Sequence, residues 1–212
     1  MSSRPPTLSH LARVTRSTHV CVAVALCAAL ASPVPVSAQD PAVYYISGAA
    51  LVAMLPGYLL DTPQPDSARS LFKVTVGDFD AIDVENRALD VWLEYQPGRT
   101  WHRIKPLFGL AINTDGSFYG WVAGAHDFHL AERFVVKLST GPAFYVVGDE
   151  AKNLGSPAVL RSGFEVGYRF SEAGTVTASF HHMSHGYLLN RHANPGTETI
   201  AINLNWSRGR GR

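Results

Sequence analysis

Apolar and polar residues alternate with a period of two along most of the chain after residue 70. Short turns rich in Gly, Asp, Asn and Pro separate eight such segments, which are 70–79, 87–96, 103–113, 117–125, 132–147, 158–170, 174–184 and 197–206. Strict alternation is typical of β-strands, and no long segment has the 3.6-residue period of a helix. The pattern therefore predicts an all-β fold.

The two faces of each segment differ in kind. In segment 87–96 every second residue is apolar, and the residues between them include Asp90 and Glu94. A soluble sandwich would have the same period, with its apolar face inward. Charge and glycine opposite an apolar face is the pattern of strands that face lipid, and eight strands leave just enough interior for side chains to fill. We predict an eight-stranded antiparallel transmembrane β-barrel over 70–206.

This barrel predicts places for several other residues. Five charged residues are expected to pair in the interior: Asp90, Glu94, Lys137, Glu165 and Arg169. Three glycines are expected to make room in a tight barrel: Gly109, Gly163 and Gly167. Three aromatic residues are expected at the membrane interfaces: Trp101, Tyr119 and Trp121.

The first 38 residues are typical of a secretory signal peptide. Three arginines and no acidic residue precede an apolar run from Val20 to Ala31, and the small-residue pattern Val36-Ser37-Ala38 follows. Twelve apolar residues are too few to span a bilayer as a helix, so we expect cleavage after Ala38 rather than a membrane anchor.

Removal of this leader would change the net charge of the chain and its number of cysteines. The remainder would keep 17 acidic and 15 basic residues, a net charge near −2, which argues against nucleic acid as a partner. Both cysteines, Cys21 and Cys27, lie in the leader. The mature chain would then have no disulfide, no catalytic cysteine and no cysteine metal site.

Two further regions flank the predicted barrel. Segment 39–69 is an apolar stretch followed by a turn-forming linker; its residues 43–60 could form a strand, a plug or an interfacial helix. A spanning helix is disfavoured there because Pro56 and Gly57 lie near its end. A basic tail over 207–212 follows the last segment.

The chemistry-bearing residues concentrate in segment 180–198, which reads FHHMSHGYLLNRHANPGTE. His182 and Ser184 are two apart on a predicted strand, so they share a face. Apolar Val176 and Phe180 have the same parity, which places both polar residues on the lipid-facing side. On the next strand Glu198 shares its face with apolar residues too. A hydroxyl, an imidazole and a carboxylate are the three parts of a serine-hydrolase triad, and they must satisfy one another where they face hydrocarbon.

The strand count predicts where this group lies. If both termini of an even-stranded barrel are periplasmic, the loop after the seventh strand is extracellular. The three residues would then lie at the outer leaflet of a Gram-negative outer membrane, where lipid A is found.

The string His182-x-Ser184, followed after a short loop by Asn194-Pro195-Gly196-Thr197-Glu198, resembles lipid A 3-O-deacylases of the PagL type, an acyloxyacyl hydrolase-like family of outer-membrane barrels. Segment 74–80, VTVGDFD, looks like the first strand and turn of that family. The resemblance implies a serine esterase that removes an ester-linked acyl chain from lipid A of lipopolysaccharide. It also implies that Ser184 is the nucleophile, His182 the general base and Glu198 the orienting acid.

The resemblance also implies an oxyanion or substrate site at Asn194, His185 and Gly186. The family usually has Asn and Ala after the serine, where this chain has His185 and Gly186. Either His185 replaces that asparagine as a donor or backbone N–H groups alone bind the oxyanion. No cofactor is expected.

Alternatives remain at this point. The barrel could be a non-enzymatic structural or adhesion protein, or a barrel phospholipase. A metal site built from the histidines of segment 180–198 is disfavoured because alternation splits them between two faces. The expected partners are lipid A and the outer-membrane lipids, with a homodimer as a possible assembly.

Overall fold

A computed structural model describes residues 69–101, 104–129, 132–186 and 194–208. Its eight strands are β1 (Ser70–Phe79), β2 (Ala88–Gln96), β3 (Lys105–Asn113), β4 (Phe118–His129), β5 (Phe134–Val146), β6 (Ala158–Arg169), β7 (Gly174–Ser184) and β8 (Thr197–Arg208). The segments predicted as signal peptide and apolar N-terminal stretch, and the last four residues of the basic tail, lie outside the described residues.

The eight strands form one closed antiparallel barrel. Each strand pairs with its neighbours in the chain, and β8 returns to pair with β1 from Ser70↔Arg208 to Phe79↔Thr199. Because the barrel is closed, no strand has an edge with unpaired backbone N–H and C=O groups. This is required in a membrane, since hydrocarbon offers no hydrogen-bond partners. The predicted all-β, eight-stranded barrel is therefore confirmed. Over the residues that the structure describes, no helix is long and apolar enough to cross a membrane.

The alternation predicted from the sequence sets the inside and the outside of this barrel. On β2 the outward residues Leu89, Val91 and Leu93 are exposed, whereas Asp90 and Glu94 are buried in the interior. The same division holds along β8, which continues two residues past its predicted end. Strand β4 ends four residues later than predicted because its last residues pair with the start of β5.

Charged side chains fill the interior and pair there. Lys73 contacts both Glu94, at 2.6 Å, and Glu165, and Lys105 binds Asp127 at 2.7 Å. The expectation that Glu94 and Glu165 are paired inside is confirmed, although their partner Lys73 was not among the predicted residues. A buried charge is tolerated only when it is paired in this way.

Two of the three predicted interface aromatics were placed wrongly. Tyr119 and Trp121 are buried inside the barrel, because Phe118, Gly120 and Val122 occupy the outward positions of β4. Trp121 Nε1–H donates to Glu94 at 3.3 Å. Trp101 is exposed as expected.

Two of the three predicted room-making glycines, Gly109 and Gly163, lie under aromatic rings, whereas a Cβ on Gly167 would meet Thr177. A Cβ on Gly109 would lie 2.0 Å from the ring of Trp121. A Cβ on Gly163 would lie 1.9 Å from Nδ1 of His181, its partner on β7. Glycine is required at both positions because an adjacent strand inserts a ring over the backbone.

Candidate active site

The candidate site lies at one end of the barrel, where β7 ends and β8 begins. His182 on β7 is directly opposite Glu198 on β8, and Ser184 follows two residues after His182. Side chains two apart on a strand share a face, and directly opposed residues on antiparallel strands have neighbouring side chains. The hairpin register alone therefore brings the three residues together.

The three side chains form one continuous chain of hydrogen bonds. His182 Nδ1 lies 2.8 Å from Glu198 Oε1, and His182 Nε2 lies 3.0 Å from Ser184 Oγ. An ionised carboxylate only accepts, so Nδ1 carries the proton that is donated to Glu198. The lone pair of Nε2 then faces the hydroxyl of Ser184, which is the arrangement that a general base needs.

These polar residues occupy the outward face of the barrel, as the alternation predicts. Exposed Val176 shares the face of His182, and exposed Ile200 shares that of Glu198. The three side chains are nevertheless nearly inaccessible, with 6% of His182, 5% of Ser184 and none of Glu198 exposed. Polar groups in such surroundings are stabilised only by partners, and these three provide them for one another.

The turn after Ser184 is held by Asn194. The backbone N–H of Gly186 donates to Asn194 Oδ1 at 2.9 Å, and Gly186 has a φ of +60°. That left-handed backbone favours glycine. The hydrogen bond joins the end of β7 to the segment that leads into Glu198.

His185 is fully buried at the same turn. A Cβ placed on Gly155 would lie 3.3 Å from His185 Nε2, so the imidazole packs against the loop between β5 and β6. The structure thus brings all six sequence-predicted site residues to one end of β7 and β8, with His185 turned to a neighbouring loop.

The sequence analysis did not predict the charged residues Asp80 and Asp83, which lie beside Glu198, or Lys152, which binds them. Asp80 and Asp83 lie in the turn after β1. One carboxylate oxygen from each of them and one from Glu198 all lie within 4.8 Å of one another. Lys152, from the loop between β5 and β6, binds both aspartates. Asp80 belongs to the segment VTVGDFD, but nothing in the local sequence around Lys152 points to this contact.

Comparison with known proteins decides the family. The sequence profile of the lipid A 3-O-deacylase (PagL) family matches residues 89–207, which is more than half of the chain. The chain belongs to this family. As a PagL-family barrel it is an outer-membrane hydrolase that deacylates lipid A. The family therefore favours the deacylase over the non-enzymatic barrel and the barrel phospholipase.

Solved structures resemble the barrel at low sequence identity. A de novo designed transmembrane β-barrel is 13% identical with a TM-score of 0.50, and the alignment covers 69% of this chain and 98% of the design. The likeness shows the fold alone. The outer membrane enzyme PagL is 17% identical with a TM-score of 0.49, over 64% of this chain and 97% of that one. The N-terminal β-barrel domain of Pseudomonas aeruginosa OprF is 11% identical with a TM-score of 0.49, over 66% and 98%. No curated protein matches the sequence significantly.

Proposed function

We propose that this PagL-family barrel deacylates lipid A through a triad in which Ser184 is the nucleophile, His182 the general base and Glu198 the orienting acid. The observation that carries the proposal is the unbroken path from Glu198 Oε1 through both nitrogens of His182 to Ser184 Oγ, with distances of 2.8 and 3.0 Å. Each residue has the partner that its role requires.

The first half-reaction forms an acyl-enzyme. Ser184 Oγ attacks the ester carbonyl of the substrate while His182 Nε2 takes the hydroxyl proton. The positive charge that develops on the imidazole is stabilised by Glu198. When the tetrahedral intermediate collapses, the bond to the sugar oxygen breaks and His182 returns the proton to that oxygen. The deacylated lipid leaves with a free hydroxyl.

The second half-reaction releases the fatty acid. Water gives a proton to His182 and attacks the acyl carbonyl, and the bond to Ser184 Oγ then breaks. His182 returns the proton to the serine. Water and ester enter, and alcohol and acid leave, so the cycle balances without a redox partner.

The backbone N–H of His185, in the turn after Ser184, is the proposed donor to the oxyanion. His185 directs its imidazole to Gly155, and the N–H of Gly186 is bound by Asn194. The N–H of His185 immediately follows the nucleophile, the position at which serine hydrolases commonly place such a donor. Asn194 is then a positioning residue that holds the conformation of this turn.

The outward placement of the triad supports a membrane lipid as substrate. A water-soluble ester would have to approach through the lipid that surrounds the barrel, whereas an outer-leaflet lipid is already beside β7 and β8. With both termini in the periplasm, this end of the barrel is at the outer leaflet. We propose that the ester-linked chain that is removed is the 3-O chain named by the family description.

The test is mass spectrometry of lipid A from Gram-negative cells that express the wild type or Ser184→Ala. The wild type should remove one hydroxyacyl chain and Ser184→Ala should remove none, while both accumulate as folded barrels. Ser207→Ala, at the far end of β8, is the matched control and should behave as the wild type. Unchanged lipid A with folded wild-type protein would contradict the proposal, and release of fatty acid from purified phospholipid instead would support the phospholipase.

A further inference from the structure

The turn between β1 and β2 is attached directly to the strand that carries the triad acid. The backbone N–H of Ala81 donates to the backbone oxygen of Glu198 at 2.9 Å, and Thr197 Oγ1 donates to Asp80 Oδ1 at 3.4 Å. Asp80 is fully buried and also accepts from the N–H of Asn86 at 3.2 Å. The carboxylate of Asp80 is thus fixed beside that of Glu198.

Only one of the two carboxylate oxygens of Glu198 takes part in the proposed triad. Oε1 binds His182, whereas Oε2 is buried and has no hydrogen-bond partner among the described residues. Carboxylate oxygens of Asp80 and Asp83 lie within 4.8 Å of Glu198. Three carboxylates this close repel one another, and a nearby positive charge offsets that repulsion.

Lys152 supplies that charge. Its Nζ lies 2.5 Å from Asp80 Oδ1 and 2.7 Å from Asp83 Oδ2, and only 11% of its side chain is exposed. Its backbone oxygen accepts from Tyr145 Oη at 2.8 Å, so the residue is held at both ends. The ammonium therefore binds both aspartates at once.

Lys152 remains charged throughout the range in which a hydrolase is assayed. Burial lowers its pKa, but the hydrogen bonds to Asp80 and Asp83 and their negative charges outweigh burial, so the pKa of Lys152 is raised above its usual value. A raised lysine pKa means that the ammonium is present at every pH below about 10. The positive charge that Lys152 places on the cluster is therefore constant over that range of pH.

We propose that Lys152 is a positioning residue that acts through Asp80 and Asp83 to keep Glu198 ionised, and so sets the lower pH limit of deacylation. The inference rests on the proposed triad. The charged and titratable groups beside Glu198 are His182 on β7 and Asp80 and Asp83 after β1. Lys152, from the loop between β5 and β6, binds the two aspartates, and His185, at the turn after β7, packs against Gly155. Lys152 is the one permanent cation among these five described residues.

The charge of Lys152 determines the direction in which its removal shifts the pH dependence of activity. Removal of Lys152 leaves more negative charge beside Glu198 and His182, and negative charge favours binding of a proton. Protonated Glu198 cannot accept from Nδ1, and protonated His182 cannot act as the base. Activity should therefore be lost at a higher pH than in the wild type.

The experiment measures kcat/KM for release of fatty acid from lipopolysaccharide in detergent as a function of pH. Lys152→Met should raise the midpoint of the acidic limb by about one pH unit. Lys152→Arg keeps the charge and should retain the wild-type midpoint. Lys152→Met combined with Asp80→Asn removes one charge of each sign and should return the midpoint towards the wild type.

A purely structural tether would give a different result, because a loosened loop lowers the rate equally at every pH. An unchanged midpoint in Lys152→Met would overturn the inference. If that variant does not fold, Asp83→Asn takes its place: it removes a negative charge and should lower the midpoint, and a midpoint that stays or rises would contradict the proposal. Failure of the triad itself is distinct, since Ser184→Ala would then release fatty acid at the same rate as the wild type.

Discussion

His182 on β7 and Glu198 on β8 are direct partners in the register of the last hairpin, and their side chains meet at 2.8 Å on the outward face of the barrel. Two strands that would otherwise present apolar residues to lipid here present an imidazole and a carboxylate. The pair is stable there because each group satisfies the other and Ser184 completes the chain. The backbone ladder of the hairpin, rather than a flexible loop, holds the geometry.

The first prediction concerns that pair. Glu198→Gln should lower kcat by roughly 10⁴-fold with the barrel still folded, because an amide does not hold the imidazole in the same tautomer or stabilise its positive charge. The measurement is the rate of fatty acid release from lipopolysaccharide. Glu172→Gln, in the exposed turn between β6 and β7, is the control and should keep the wild-type rate. A Glu198→Gln rate within tenfold of the wild type would argue against Glu198 as the orienting acid.

A second prediction concerns the turn after the nucleophile. Asn194→Ala removes the acceptor for the N–H of Gly186 and should lower kcat by about fivefold, since one hydrogen bond contributes about 1 kcal/mol. Asn194→Asp keeps an acceptor oxygen and should recover part of the loss. Equal activity of Asn194→Ala and the wild type would show that the turn holds its conformation without Asn194.

The third prediction tests why position 163 is glycine. Gly163→Ala would place a Cβ 1.9 Å from the imidazole of His181, and such overpacking typically costs about 1–3 kcal/mol. The midpoint of urea unfolding in detergent micelles should fall. The double variant Gly163→Ala/His181→Ala removes the ring and should recover stability relative to the sum of the single changes. Strict additivity of the two changes would contradict this explanation.

The fourth prediction concerns the charges inside the barrel. Lys73→Met leaves Glu94 and Glu165 buried without their ammonium partner, and removal of one member of a buried ion pair typically costs about 3–5 kcal/mol. The folded fraction, read from the shift in electrophoretic mobility between unheated and boiled samples, should drop sharply. Arg87→Met removes a cation from an exposed pair with Asp78 and should change little. Equal folding of both variants would show that the interior ion pairs do not stabilise the barrel.

The sequence predicted the features that depend on a single strand and missed those that depend on contacts between strands distant in the chain. Alternation identified eight strands and their inward and outward faces, because a period of two is a property of each strand alone. Residue type misplaced Tyr119 and Trp121, since an aromatic side chain at an interface and one that fills the interior look the same in the sequence. The sequence predictions also missed Lys73 as the shared partner of Glu94 and Glu165, which lie on β2 and β6.

The sequence by itself determined the barrel and the candidate triad, because His182, Ser184 and Glu198 lie on two strands joined by a single hairpin and parity places them on one face. Only the tertiary structure brought Asp80 and Lys152 to that site. Asp80 is 72 residues from Lys152 and 117 residues from Thr197. Closure of β1 against β8 and the reach of the loop between β5 and β6 create these contacts, and no local periodicity encodes them.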